Sequence, residues 1–389
     1  MKTEKSILFV GQCYYNHWYL SRELRKLGWR ADVLHTDLDS PSQMFYHGRD
    51  YKAHGSSMLG VIKDLKFYVL ALFRYEIFHF ANAEGLRFPP FDRIRGFYRI
   101  FGRYAEVRLL KVIGKKIFYS NNGCRDGVTQ SSFNKWRPTP VCDICPWQSR
   151  EDVCSDKKNS EWGELRNRYA DFIGILGSNR ADYNLAAHVH EAPWIYCLDK
   201  EVWNPANLIP TNYLLPLNKA TVKIFHSVGN YDSRAHGINR KTIKSTEIWI
   251  EIIERLKSEG LDIEMIFFKD IPNKQIRYYQ MQADIFVDML TFGFYGANVR
   301  EAMMLGKPAI CFLRPEWLDD MKKEYPAYVD ELPVISATPH TAYDTLKELV
   351  VDAQRRKEIG LRMRKFGLKW HASDSAAHRA NKIYSEYLH

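Results

Sequence analysis

"TFGFYGANVREAMMLGKPAI", residues 291–310, follows the apolar run "DIFVDML" and leads into another, "AICFL". The stretch reads as a buried strand, a turn through Gly293 and Gly296, a helix over "ANVREAMML" and a return to the sheet. That is one step of a parallel α/β sheet. Gly306 stops the helix, with Pro308 just beyond it. The backbone N–H groups around Gly296, Ala297 and Asn298 have no intrahelical partners. With the helix dipole they favour an anion, and a phosphate fits best. Glycine lets that phosphate come close to the backbone. Glu301 lies about one turn in, too deep for a simple cap, and its carboxylate can accept two hydrogen bonds from a vicinal diol such as a ribose. On this stretch by itself, a plain strand–turn–helix with an exposed glutamate stands beside that reading.

The same alternation extends in both directions. Upstream, "SILFVGQ", "RADVLHTD", "YEIFHFAN", "KKIFYSN", "DFIGILG" and "WIYCL" read as strands, and "YLSRELRKLGW" as a helix ending at Gly28. Residues 200–219 hold three prolines and no helical period, as a linker would. A second series starts at "VKIFHSVGN" and continues through the helix "STEIWIEIIERLKSEG", the strand "IEMIFFK" and the helix "NKQIRYYQMQ". After the opening stretch comes the strand "LPVIS", and helices run from Thr341 to the end. The expectation is two Rossmann-like α/β domains facing across a cleft, over 1–215 and 216–370. Residues 371–389 form a last helix that crosses back to the first domain. Ligands of open parallel sheets sit at the carboxyl ends of strands, so the cleft is the expected site.

Composition agrees with a folded chain. Its 389 residues suit two domains of about 150–200 residues. Apolar residues make 46% and charged residues 26%, which excludes a disordered chain. The formal charge is +10, most of it before residue 220, and implies anionic partners. The start "MKTEKSILFVGQC" runs straight into a first strand and lacks a cleavage site. "MLGVIKDLKFYVLALFRYEIFHF" is broken by Lys63, Asp64, Lys66, Arg74 and Glu76, so it is not read as a membrane span. Seven cysteines without a secretion signal argue against a disulfide framework. The expected location is the cytoplasm.

"ADIFVDMLTFGFYGANVREAMMLGKPAI" resembles the donor-binding signature of retaining GT-B glycosyltransferases of family 4. Ala283-Asp284, Tyr295-Gly296, Glu301-Ala302-Met303 and Gly306-Lys307-Pro308 match in order. "HSVGN…IKSTEIW" is similar to the family's first donor-domain strand and its Lys-Gly-Thr turn, with Ser245 in place of glycine. The resemblance covers nearly all of 221–389 and implies a nucleotide-diphosphate sugar as donor. It implies Lys244 and Arg240 on the diphosphate, Tyr295, Gly296, Ala297 and Asn298 beside it, and Glu301 on the ribose. The acceptor implied is a polysaccharide, oligosaccharide or lipid-linked glycan of bacterial surface synthesis. Two positions depart from the family. Gly293 stands where the first glutamate of its pair would contact the donor sugar, and Asn122 where a histidine often precedes a glycine. No catalytic base is assigned; Lys244, Arg240 and Asn122 are the candidates for the reaction centre, and no catalytic metal is expected. Gly11, His79, Glu84 and Asn122 are the acceptor-side candidates, with a buried, satisfied histidine as the other reading of His79. A catalytically degenerate GT-B nucleotide-binding subunit, or a nucleotide-sugar epimerase on the same fold, is the alternative.

Cys124, Cys142, Cys145 and Cys154 lie close in sequence, and "CDIC" has the spacing of a zinc knuckle. A structural zinc is the expectation, with a redox pair, an iron–sulfur cluster or unliganded thiols as the other readings. Cys13, Cys197 and Cys311 read as small core residues. Residues 86–116 interleave Arg87, Arg93, Arg95, Arg99, Arg103 and Arg108 with Phe and Tyr. As a helix, this stretch would lie on an anionic membrane surface at the inner face, or would keep its arginines in water. It matches no nucleic-acid module, and no nucleic-acid partner is expected.

Overall fold

The computed structural model describes residues 4–388 except 13, 37–45, 82–84, 121–122, 125–127, 138–140, 146, 178–179, 217, 219, 230 and 232–241. Two parallel sheets organise the chain. The first contains β1 (Ser6–Val10), β2 (Arg30–His35), β3 (Tyr51–Lys52), β4 (Ile77–Phe80), β5 (Lys116–Ser120), β6 (Phe172–Ile175) and β7 (Val189–Glu191), in the order β3-β2-β1-β4-β5-β6-β7. The second contains β8 (Val222–Val228), β9 (Ile263–Lys269), β10 (Ile285–Val287), β11 (Ala309–Cys311) and β12 (Ile335–Ser336), in the order β12-β11-β10-β8-β9. Every described pairing is parallel. Strand order reverses beside β1 in one sheet and beside β8 in the other. Such switch points open a crevice at the strand ends.

Helices cover both faces of the sheets. In chain order they are α1 (Asn16–Lys26), α2 (Met58–Arg74), α3 (Phe97–Phe101), α4 (Ala105–Val112), α5 (Gln130–Phe133), α6 (Asp156–Tyr169) and α7 (Thr246–Ser258). There follow α8 (Asn273–Gln282), α9 (Ala297–Leu305), α10 (Pro315–Glu324), α11 (Pro326–Glu331), α12 (Ala342–Val351), α13 (Ala353–Trp370) and α14 (Ser373–Glu386). Strand β1, "SILFV", is buried along its whole length. Its unbroken apolar run is what a strand covered on both faces requires.

One core joins the second domain to the α1 face of the first sheet, and a separate core fills the face under α2 and α4. The last helix, α14, packs on α1 in the first domain. Tyr384 reaches Phe118, with ring centroids 4.9 Å apart, and hydrogen-bonds His79. Each fully buried side chain of this kind contributes roughly 1.5–3 kcal/mol, so α14 fastens the two halves together.

Several expectations need correction. "WIYCL" is not a strand: Pro193–Ile195 is a 3-10 turn, and the edge strand is β7, just upstream. Residues 86–116 are not one helix. Left-handed Gly96 and Gly102 split them into a 3-10 turn, α3 and α4. Strand β3 and helices α10 and α11 have no counterpart among the expected elements. Among the described residues no helix is long and apolar enough to cross a membrane.

Candidate active site

The pocket opens at the switch point of the second sheet. Strand β8 ends at Val228, β10 ends at Val287, and α9 starts at Ala297. Gly296 caps α9 and faces an ion pair. A β-carbon on it would lie 3.1 Å from Lys244 Nζ and 3.3 Å from Asp288 Oδ2. Any larger residue would therefore press on Lys244, whose Nζ sits 2.7 Å from Asp288 Oδ1. Asp288 is fully buried. Lys244 stands in the turn before α7, where Ser245 adopts φ 58°. Ser245 Oγ accepts from Leu290 N at 3.0 Å, which ties this turn to the end of β10. Asn298 is held across the pocket by two bonds to Ser227, donating from Nδ2 to its carbonyl at 3.0 Å and accepting from its Oγ at 3.1 Å.

Glu301 projects from α9 toward the first domain. Its Oε1 accepts from Tyr15 Oη and from Asn273 Nδ2, both at 2.9 Å. Its Oε2 accepts from Gln280 Nε2 at 2.5 Å. Burial raises the carboxyl above the ordinary glutamate range, and the three donors, Gln280 foremost, pull it back. A carboxylate oxygen takes about two donors, so Oε1 is filled and Oε2 keeps one acceptor position. Tyr14, Ser227, Lys244, Asn273, Asn298 and Glu301 all line the pocket, as does Ala297. A cation, a helix start and one carboxylate lone pair thus converge. That set can hold a diphosphate and an adjoining hydroxyl.

The other expected site residues fall in different places. Tyr295 does not line the pocket: it is fully buried, and its hydroxyl bonds Tyr328 and His371. Its place is in the core behind α9. His79 takes the second of its two expected readings, a buried and satisfied histidine, and not the acceptor contact. It is fully buried, with Nδ1 2.6 Å from Tyr384 Oη and Nε2 2.6 Å from Ser120 Oγ. Both ring nitrogens are occupied, and burial pushes its pKa well down. Gly11 ends β1 in a left-handed conformation and donates to Leu34 O at 2.8 Å. Arg240, Asn122 and Glu84 lie outside the described residues.

Tyr15, Asn273, Gln280 and Asp288 were not anticipated. Asp288 carried a signal, as the acid that interrupts the apolar run "IFVDML" directly after β10. Tyr15 carried none, since it meets Glu301 from 286 positions away.

The six described cysteines form no disulfide; Cys197 and Cys311 are buried, and Cys13 lies outside the described residues. Cys145 N donates to Cys142 O at 3.0 Å, which closes a tight turn. Burial pushes the Cys142 thiol up to about 12, helped by Cys124, Cys145 and Cys154 nearby. Among the described residues, however, no three metal-ligating side chains stand where they could share an ion. The donor set suits zinc by its chemistry, while its described arrangement is not a coordination shell. The segment packs on the second domain: Phe133 and Trp136 meet Phe292, and the Arg314 guanidinium lies 3.4 Å from the Trp136 ring centroid.

No family model matches the chain, and no curated protein sequence matches it. Solved structures do. Sucrose-phosphate synthase from Thermosynechococcus elongatus is similar over 98% of this chain and 99% of its own, with TM-score 0.60 and 13% identity. The catalytic domain of starch synthase IV from Arabidopsis thaliana, bound to ADP and acarbose, covers the same 99% of its own length and 99% of this chain, with TM-score 0.53 and 9% identity. Anabaena HepE in complex with UDP-glucose has TM-score 0.51 and 11% identity, over 98% of this chain and 99% of its own. With its two parallel-sheet domains, the chain has the GT-B fold.

Proposed function

We propose that the protein is a retaining glycosyltransferase that uses a nucleotide-diphosphate sugar. One observation carries this reading: Lys244, the start of α9 and Glu301 line a single pocket at the switch point of the second parallel sheet. In it Lys244 and the α9 amides hold the diphosphate, and the remaining acceptor position of Glu301 takes a ribose hydroxyl. Arg240, which precedes Lys244 in the sequence, is the candidate for a second cation on the diphosphate. The bond from the sugar's anomeric carbon to the diphosphate oxygen breaks, and an acceptor hydroxyl bonds that carbon from the same face. The acceptor's proton passes to the departing diphosphate, whose growing charge Lys244 stabilises. The acceptor is a polysaccharide, oligosaccharide or lipid-linked glycan, held by the first domain.

A nucleotide-binding subunit without turnover is the second reading. Gly293 favours it, because the position that would bear the family's sugar-contacting carboxylate has none. A panel of nucleotide sugars, scored by thermal shift and by hydrolysis without acceptor, separates the two. Stabilisation plus slow hydrolysis of one sugar supports the transferase. Stabilisation by bare nucleotide with no turnover of any sugar supports the binding subunit.

We also propose that Cys124, Cys142, Cys145 and Cys154 take a structural zinc, which would draw the four thiols of this segment together. Four thiolates leave no open position, so the ion would order the segment and have no part in the transfer.

A further inference from the structure

Helix α2 is turned the wrong way for an ordinary surface helix. It buries Gly60, Asp64, Tyr68 and Ala71 and leaves its large aliphatic residues outside. Met58 is 82% exposed and Phe73 83%, with Leu59, Ile62, Val69 and Leu70 between them at 50% or more. At helical spacing these side chains fall on one face. The next segment continues the surface. Ile100 is 72% and Val112 83% exposed, and Phe101, Leu109 and Ile113 are exposed beside them. The two parts are locked side by side, because Tyr68 Oη donates to Glu106 O at 2.6 Å and the Tyr68 ring meets Phe91.

The exposed charges around these apolar residues are predominantly positive. Lys63, Lys66 and Arg74 are exposed on α2, and Arg95, Arg99, Arg103 and Arg108 on the second segment. Of the acids within the same two segments, Asp64 and Glu106 are buried, and Asp92 is exposed beside Arg93 and Arg95. Contiguous exposed apolar surface of this size needs a covering. A second copy of the chain related by a two-fold axis would set these cations against their own equivalents. A layer of anionic headgroups over acyl chains matches both the apolar stripe and the cations.

We propose that α2, α3 and α4 form a docking face by which the first domain lies on an anionic phospholipid bilayer. Helix α2, about 25 Å long, lies flat, with its apolar stripe at the acyl boundary and its cations among the phosphates. This face rests on exposure and charge and not on the donor pocket. Its failure therefore leaves the reading of that pocket untouched.

The test is co-sedimentation of the full chain with vesicles of phosphatidylglycerol and phosphatidylcholine, against vesicles of phosphatidylcholine alone. Binding is expected only to the anionic vesicles and should weaken with salt. Arg99→Gln with Arg103→Gln should weaken it about 30-fold, since each cation near such a surface is worth about a factor of five. Ile62→Gln with Phe73→Gln should weaken it at least about tenfold, because two buried apolar side chains are lost. Both variants should keep the parent's melting temperature and its stabilisation by nucleotide. Equal binding to both vesicle types, no binding, or variants that bind like the parent would overturn the proposal. So would a dimeric parent that Ile62→Gln with Phe73→Gln turns into a monomer.

Discussion

A β-carbon at Gly293 would fall 2.7 Å from the β-carbon of Arg314. Gly293 has φ 83°, and its carbonyl accepts from Arg314 N at 2.8 Å. The side-chain space at this position is therefore filled from the strand end after β11. Arg314 is almost fully buried, and its guanidinium lies over Trp136 of the cysteine-rich segment. Where the resembled family has a carboxylate, this protein brings up a cation and an indole.

Restoring the missing glutamate should consequently fail. Gly293→Ala pays about 1–2 kcal/mol for the left-handed backbone and a further 1–3 kcal/mol for the crowding. Gly293→Glu should lose at least as much stability and gain no turnover. Urea denaturation of both variants, together with donor hydrolysis, checks this. A Gly293→Glu protein as stable as the parent and faster would show that the site merely lost its glutamate.

Glu301 is the sharpest test of the ribose contact. Glu301→Gln keeps the size and replaces one acceptor oxygen by a donor. Hydrogen bonds to a charged group are worth about 1.5–3 kcal/mol, so nucleotide affinity should fall at least about tenfold. Because Tyr15, Asn273 and Gln280 all donate to this carboxylate, some stability should be lost as well. Tyr15→Phe separates the two effects. It removes one donor from outside the ribose position and should cost about 1 kcal/mol with nucleotide affinity largely kept. Calorimetric titration of both variants decides. Unchanged affinity in Glu301→Gln would remove the ribose role.

The second domain could be read almost directly. "NKQIRYYQMQ" has the pattern of a helix, and α8 spans Asn273–Gln282. The strand–turn–helix at 285–305 is there, because buried parallel strands are apolar throughout and the glycines mark the turns. The first domain was harder. Strand β7 is three residues of "VHE" at a sheet edge, too short and polar to stand out, while the buried "WIYCL" beside it imitates a strand. His79 looked like a ligand at a strand end, yet Tyr384 comes across from the last helix to occupy it. Partners so remote in the chain leave no local pattern.

Glu191 makes stability depend on pH. It ends β7, is fully buried, and donates its N–H to Glu324 Oε2 at 3.2 Å. Burial pushes its carboxyl from 4.5 up to about 8; Asp320 adds to this, and Arg180 and Arg314 oppose it. His190 stands beside it in β7, paired with Glu324 at 3.6 Å. Since the folded pKa lies above the unfolded one, the folded state holds more protons between about pH 4.5 and 8. The neutral carboxyl's contribution is full below about pH 4.5 and is lost as pH rises toward 8. Glu191→Gln should match the parent near pH 4–5 and exceed it at pH 8–9 by on the order of several kcal/mol. Denaturation of both proteins at three pH values measures it. Parallel pH profiles would exclude Glu191 as the source.

The thiol segment gives the last prediction. Cys142 and Cys145 share a tight turn, and Trp136 from the same segment stacks on Arg314 across the domain boundary. If zinc orders the segment, freshly reduced protein should carry about one zinc per chain. Cys142→Ser with Cys145→Ser should lose it. Because Phe133 and Trp136 pack on Phe292 in the turn before α9, that variant should also lose stability, and its tryptophan emission should shift as Trp136 leaves Arg314. Chelation of the parent should produce the same shift. Metal-free parent protein, with an emission spectrum that neither the chelator nor the double variant changes, would leave the four cysteines as ordinary thiols. The packing of Trp136 on Arg314 would then owe nothing to a metal.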